Sequence, residues 1–353
     1  MYCFLFEYTI LSVIFRTDWF ENKMEESMAT DPLGFIARAS AASLLMITPE
    51  YWKVRGMRAP GAASVRYEPV SYSIAPEMMT VENLNIRFAR SHVPDRPTIL
   101  FLSPLPQSIY CYEQSWKLLS GDFDLVAIDL PGFGGSEGGM SLMNFSAQSL
   151  FLEKLINQLG LKDVHIVAPD VAMPVALHYV LYRNHQAKSI LVGDGPGILP
   201  SEDGSLIRKI VGSAFWRAIV RVNGARTFLA TATEIGYLHY SLTELELRDY
   251  VASYQGRVDQ VVAYFASYPD GLHEIDFKLD TLTLPVHVFW GDTDAFLSCT
   301  NAKTLSDRLQ NSEMTVFENC GHFSYQDKPE AFTKMIRDWV MEGHKRFPKL
   351  TIV

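Results

Sequence analysis

The stretch that most constrains the fold runs from Asp163 to His178, D-V-H-I-V-A-P-D-V-A-M-P-V-A-L-H. Val164 to Ala168 is a short apolar run of the kind that forms a strand buried on both faces. Asp170 interrupts it, and from Met173 the apolar residues recur with helical spacing. Pro174 falls in the first helical turn, where its missing N–H costs nothing. A strand that gives way to a helix this abruptly forces the residue at the turn into a strained backbone geometry. Its flanks must then be small, because a larger Cβ would strike the neighbouring strand or helix. Ala168 and Ala172 stand two residues before and two after Asp170. Taken alone, A-P-D-V-A is equally compatible with an ordinary strand-to-helix turn in which the aspartate caps the helix.

The surrounding chain repeats that pattern. Strands are expected near Arg66–Ile74 and Asn83–Ala89 as a hairpin or meander, then at Thr98–Ser103, Phe123–Asp129, Val164–Ala168, Ser189–Gly193, Val286–Trp290 and Met314–Phe317. Helical patterns separate them near Glu113–Leu119, Phe145–Leu159, Met173–Arg183, Asn301–Leu309 and Pro329–Gly343. Strands alternating with helices imply a mostly parallel sheet of about eight strands with helices on both faces. The alternation stops between Gly195 and Thr283, a helical stretch rich in Tyr, Phe and Trp. An insertion after the sixth strand would lie over the carboxyl ends of the strands as a lid, where ligands bind in such sheets. The chain thus divides into an N-terminal extension, 1–62, a core formed by 63–194 and 284–353, and a helical lid, 195–283. In the extension, Asp31-Pro32 reads as a helix start, with a helix over Leu33–Met46.

Two more stretches carry polar residues just past a strand. One is P-V-H-V-F-W-G-D-T-D-A-F-L, Pro285 to Leu297; the other is V-F-E-N-C-G-H-F-S-Y-Q-D-K-P-E-A-F, Val316 to Phe332. Alone, Asp294 reads as a helix cap and His322 as a buried structural histidine. With Asp170 they make a nucleophile–acid–base order, each residue following a separate parallel strand. With the D-L-P-G-F-G-G-S-E-G loop at Asp129–Gly138, these pieces resemble the α/β-hydrolase family over roughly Arg66 to Gly343. In that light A-P-D-V-A is the G-x-S-x-G nucleophile elbow with Ala for Gly and Asp for Ser. Aspartate there is similar to the branch containing haloalkane dehalogenases and epoxide hydrolases. The resemblance implies the α/β-hydrolase fold, Asp170 as nucleophile, His322 as base and Asp294 as the acid that orients it. Asp194, at the end of the strand before the lid, is the alternative acid. Asp292 fits the acid turn less well than Asp294.

Aspartate suits that role because a carboxylate attacks carbon without first losing a proton, which a serine must do. The resulting ester is hydrolysed by water that His322 deprotonates. The oxyanion of that step needs N–H donors; Val171 and the loop around Leu105 supply the candidates. The chain departs from the family in that loop, where S-P-L-P (Ser103–Pro106) replaces the usual His-Gly, and at Val171, where the branch usually has Trp. A leaving halide would find no side-chain donor at either position, an unpaired desolvated charge, unless Trp216 took over. Epoxide opening needs a proton donor from the lid, for which Tyr264 is the first candidate, ahead of Tyr237, Tyr240 and Tyr268. The leading expectation is an epoxide-hydrolase-like enzyme acting on a small apolar molecule. Dehalogenase-like cleavage, ester or lactone hydrolysis, and a non-catalytic ligand-binding protein of this fold are the alternatives.

Composition narrows the partners. A net charge of −9 argues against nucleic acid, which needs a concentrated basic surface. Cys3, Cys111, Cys299 and Cys320 have no metal-binding spacing, so no metal or other cofactor is expected, and they fit a reducing compartment. Met1–Phe15 is mostly apolar but contains Glu7, is too short to span a bilayer as a helix, and lacks the basic start of a secretory signal. A cytoplasmic protein with a dispensable leader is expected, and membrane contact through residues 1–15 is disfavoured. Oligomeric state is not legible.

Overall fold

The computed structural model describes residues 40–41, 43–44, 48–58, 65–66 and 71–346. The apolar start and nearly all of the helix expected over Leu33–Met46 lie outside the described residues.

The sheet begins with a hairpin, β1 (Glu77–Val81) and β2 (Leu84–Ser91). Its two-residue turn, Glu82-Asn83, has positive φ at both positions, 49° and 67°. That backbone matches the twist of paired antiparallel strands. The first strand therefore lies later than the Arg66–Ile74 expected from sequence. Val65–Arg66 instead pairs with Leu242–Thr243 in a separate two-stranded ladder. Glu77 to Thr80 is largely exposed, so the edge strand shows no in–out alternation to read.

The remaining strands are β3 (Thr98–Leu102), β4 (Asp124–Ile128), β5 (Val164–Pro169), β6 (Ala187–Gly193), β7 (Val286–Gly291) and β8 (Ser312–Phe317). They complete an eight-stranded sheet in the order β8-β7-β6-β5-β3-β4-β2-β1. Only β2 runs against its neighbours; the ladders from β8 through to β4 are all parallel. Every residue of β4, β5 and β7 is buried, as continuous apolar runs in a covered sheet should be. Helices α2 (Glu113–Leu119), α3 (Phe145–Gln158), α4 (Ala172–Tyr182), α9 (Thr300–Arg308) and α10 (Pro329–Met341) follow strands in the core, while α1 (Pro49–Met57) precedes the sheet. α3 packs on α4 and α10 on α2, which covers the two faces.

Between β6 and β7 stand α5 (Ser205–Gly212), α6 (Ala214–Gly236), α7 (Glu244–Tyr254) and α8 (Val258–Lys278). None of this stretch joins the eight-stranded sheet. Gly224, at φ 69°, divides α6 into two helical pieces. The Thr243–Glu246 capping box starts α7.

Candidate active site

Four of the sequence candidates gather at the carboxyl edge of β5–β8. Asp170 follows β5 directly and has φ 50°. A non-glycine residue held there costs on the order of 1–3 kcal/mol. The space is supplied by glycine in the next connection, because a Cβ on Gly195 would collide with the Asp170 carbonyl oxygen. Asp170 N–H donates to the Gly193 carbonyl (3.0 Å), and its carbonyl accepts from Met173 N–H (3.0 Å), which opens α4.

The two oxygens of the Asp170 carboxylate face different partners. Oδ2 accepts a hydrogen bond from Leu105 N–H at 2.7 Å. Oδ1 lies 3.4 Å from His322 Nε2. His322 Nδ1 is 2.8 Å from Asp294 Oδ2, and Asp294 Oδ1 accepts from Phe296 N–H (2.8 Å) and Leu297 N–H (3.0 Å). The Asp294 side chain is fully buried. His322 is held from its backbone as well, since its N–H donates to Gly236 O (2.8 Å) at the end of α6. Phe296 and Phe323 pack edge-on against its ring, at 4.9 and 4.8 Å between centroids. Burial alone would depress the imidazole; the charge of Asp294 and the hydrogen bond to Asp170 outweigh it and raise the group to about 10. The two carboxylates thus favour the imidazolium form of His322 in the resting site.

Asp194, weighed as the alternative acid, follows β6 with φ 47° but is spent elsewhere. Its Oδ1 accepts from Gly291 N–H (3.0 Å) and its Oδ2 from the Ser324 hydroxyl. Burial first, and then the charge of Asp294, push its carboxyl well above the ordinary range. Asp292 is exposed and accepts from the Asn319 and Cys320 amides. The acid beside His322 is Asp294.

Tyr264 is not where the expectation put it. It is fully buried, its hydroxyl donates to the Val171 carbonyl (2.9 Å), and it does not line the cavity above Asp170. Two of the reserves are also occupied. Tyr237 takes a hydrogen bond from Gln107 Nε2 and gives its own to Gln326 Oε1, and the Tyr240 hydroxyl donates to Glu246. Tyr268, one turn beyond Tyr264 on α8, lines the cavity. Burial, reinforced by the charge of Asp170, keeps its phenol protonated far above neutral pH. Trp216 does not line the cavity; Lys209 Nζ lies 4.7 Å from its ring. Val171 caps α4, so its N–H belongs to the unpaired first turn of that helix.

A cavity reaches Asp170 and His322. Its walls come from the Leu105-Pro106 loop and from α5, α6 and α8, with Phe228, Phe265, Phe296 and Phe323 prominent. Beyond Asp170 and His322, its polar side chains are Tyr268 and Thr231. The Phe296 and Phe323 walls were missed from sequence, although each sits within two residues of Asp294 or His322. Among the described residues no group of His, Cys, Asp and Glu is arranged to hold a metal.

Residues 99–335 match the sequence profile of the Alpha/beta hydrolase family. Among curated proteins, the chain is similar to Monoacylglycerol lipase ABHD6 of Homo sapiens, 22% identical over 267 residues, covering 70% of this chain and 77% of that one. It is also similar to 2-hydroxy-6-oxononadienedioate/2-hydroxy-6-oxononatrienedioate hydrolase 2 of Pseudomonas putida, 24% identical over 235 residues, covering 63% of this chain and 79% of that one. Among solved structures, haloalkane dehalogenase DbeA of Bradyrhizobium elkani superposes with a TM-score of 0.67 at 22% identity, covering 78% of this chain and 99% of that one. At that identity the superposition speaks for the fold alone.

Proposed function

Because the chain belongs to the alpha/beta hydrolase family, and thus to a hydrolase scaffold, we propose that it is a hydrolase whose nucleophile is the Asp170 carboxylate, acting on an epoxide through a covalent ester. The observation that carries this reading is the direction of the Leu105 N–H. It points at Oδ2 of Asp170 itself, at 2.7 Å. In an enzyme that cleaves a substrate ester, that donor would face the substrate carbonyl. Here it faces the oxygen that becomes an oxyanion only when an ester on Asp170 is hydrolysed.

The chemistry follows in two steps. Oδ1 attacks an epoxide carbon, the C–O bond opens, and the leaving oxygen takes the proton of Tyr268. Esterification removes the negative charge of Asp170, so His322 loses one of the influences that raise it and can give up its resting proton, which restores Tyr268. Neutral His322 then deprotonates a water that attacks the Asp170 carbonyl carbon. The negative charge develops on Oδ2, against Leu105 N–H and Val171 N–H. Collapse expels the product alkoxide, which takes the proton back from His322 as a vicinal diol, and the Asp170 carboxylic acid left behind gives its proton to His322, which restores the carboxylate and the resting imidazolium. Asp294 fixes the imidazole tautomer and stabilises the imidazolium. The four helices 195–283 act as the lid that excludes water and supplies Tyr268.

A C–halogen bond suits this site less well. The Leu105 N–H is already engaged, Trp216 lies off the cavity, and the cavity offers no side-chain N–H to a departing halide except that of His322. The cytoplasmic assignment belongs to this reading too, supported by the free thiols Cys111, Cys299 and Cys320.

The test is intact-mass spectrometry of His322→Gln after incubation with separate epoxide and haloalkane panels. An adduct with the mass of the whole epoxide, mapped to Asp170, is expected. An adduct only from haloalkanes would move the reading to dehalogenation, and none from either panel would remove the nucleophilic role of Asp170.

A further inference from the structure

The first half of α6, from Ala214 to the break at Gly224, is apolar on both sides. Its inward side brings Val220 to the cavity wall and buries Asn223. Its solvent side carries Ala214, Phe215, Ala218, Arg221 and Val222, all exposed, and four of those five are apolar. Phe215 is 65% exposed and Val222 48%. An amphipathic helix on the surface of a protein normally turns its polar side to water. Single exposed apolar residues are ordinary, but these share one face of one helix at spacings of three and four.

The charge of this segment also departs from the rest of the chain. Ser205 to Thr233 contains Arg208, Lys209, Arg217, Arg221 and Arg226 and no Asp or Glu, in a chain whose net charge is −9. Acids from other elements approach it. Asp259 of α8 pairs with Arg221, Asp203 lies beside Arg208, and Glu50 of α1 beside Lys209. Arg217 donates to the Ile210 and Val211 carbonyls at the end of α5, which keeps its charge at the rim of the apolar face. Arg208 and Arg221 are exposed on either side of the corner between α5 and α6. Leu206, Ile207 and Ile210, from the inner side of that corner, line the cavity.

We infer that the α5–α6 corner is a docking surface for an anionic lipid bilayer. Phe215, Ala218 and Val222 enter the headgroup–acyl boundary while the flanking arginines meet lipid phosphates. A bilayer is the occupant favoured because it answers both features, an apolar face one helix wide and a rim of cations. The same two helices wall the cavity, so docking sets the route to Asp170 against the layer in which an apolar substrate is concentrated. No helix among the described residues is long and apolar enough to cross a membrane, so the contact is peripheral.

The test is co-sedimentation of the full chain with vesicles of phosphatidylcholine alone and of an equal mixture of phosphatidylcholine and phosphatidylglycerol. It is read without turnover, so it stands apart from the assignment of Asp170. Binding is expected to the mixed vesicles, weaker to the neutral ones, and reduced by high salt. Phe215→Ser with Val222→Ser should lower the partition coefficient at least about tenfold, while the thermal melt stays unchanged, since neither side chain is buried or lines the cavity. Arg208→Gln with Arg221→Gln should remove the preference for anionic lipid. Absence of binding to either vesicle overturns the inference, as does binding indifferent to the Phe215 and Val222 changes. A dimer in lipid-free solution that those changes dissolve would assign the face to a second copy and overturn it equally.

Discussion

Asp170 holds its carboxylate on backbone that glycine adopts freely and aspartate does not, and the strain keeps its two oxygens apart in function. Asp170→Asn is nearly isosteric, so it should leave the melt unchanged and lower turnover by a factor on the order of 10⁴ to 10⁶. The two tyrosines of α8 should separate. Tyr268→Phe is expected to slow ester formation about 10²-fold in single-turnover mixing. Tyr264→Phe removes a buried hydrogen bond to Val171 and should cost about 1 kcal/mol in denaturant melts. Equal kinetic effects would contradict the choice of Tyr268. Asp170, Asp294 and His322 were legible because each stands just past an apolar strand. The choice of tyrosine was not. Positions 264 and 268 lie one turn apart on the same side of a helix, and sequence does not say how far along that helix the cavity reaches.

At the scale of elements, one arginine ties α7 to the core. Arg87 of β2 reaches Asp129, just past β4, and Asp249 of α7. Despite burial, the charge of Asp129 and the hydrogen bonds that the guanidinium donates to Asp249 hold it above its ordinary range. Asp129 also accepts from Ile109 N–H (2.9 Å) and Gly135 N–H (2.8 Å), so one side chain fixes two loops. Arg87→Met would strand two acids, one of them fully buried. It should destabilise by about 3–5 kcal/mol, and hydrogen exchange should show α7 loosening first. Uniform loss of protection would argue against a local tether. Long apolar or amphipathic elements such as β5 and α10 were readable from periodicity. The edge strand β1 was not, because its exposed residues carry no alternation, and its position is fixed by the Glu82-Asn83 turn.

For the whole molecule, the folded state sits between two opposed titrations. His165 on β5 and His287 on β7 are buried, and burial lowers them to about 3 and about 4. The unfolded chain takes up protons near 6.5, where the fold does not. Their stability is therefore complete above that pH and falls by about 2 kcal/mol each between pH 6.5 and 5. His322 runs the other way. Raised to about 10, its contribution is complete below 6.5 and is lost as pH rises towards 10. Denaturant melts at pH 5, 7 and 9 should show stability greatest at pH 7, lost on the acid side through His165 and His287 and on the alkaline side through His322. His287→Asn should flatten that acid limb, and an acid limb unchanged by it would contradict the assignment. The order of elements was legible because a parallel sheet demands a crossover after each strand. The partners of the residues before β1 were not, since the short ladder from Val65–Arg66 to Leu242–Thr243 depends on contacts far apart in sequence.

The measurement that reaches the central claim most directly is a single turnover in heavy-oxygen water with enzyme in excess over an epoxide. If Asp170 is the nucleophile, the diol carries ordinary oxygen taken from its carboxylate, and the label is found on Asp170 by peptide mass spectrometry. Label in the diol with none on Asp170 would mean that water attacks the substrate itself, and the assignment of Asp170 would fall.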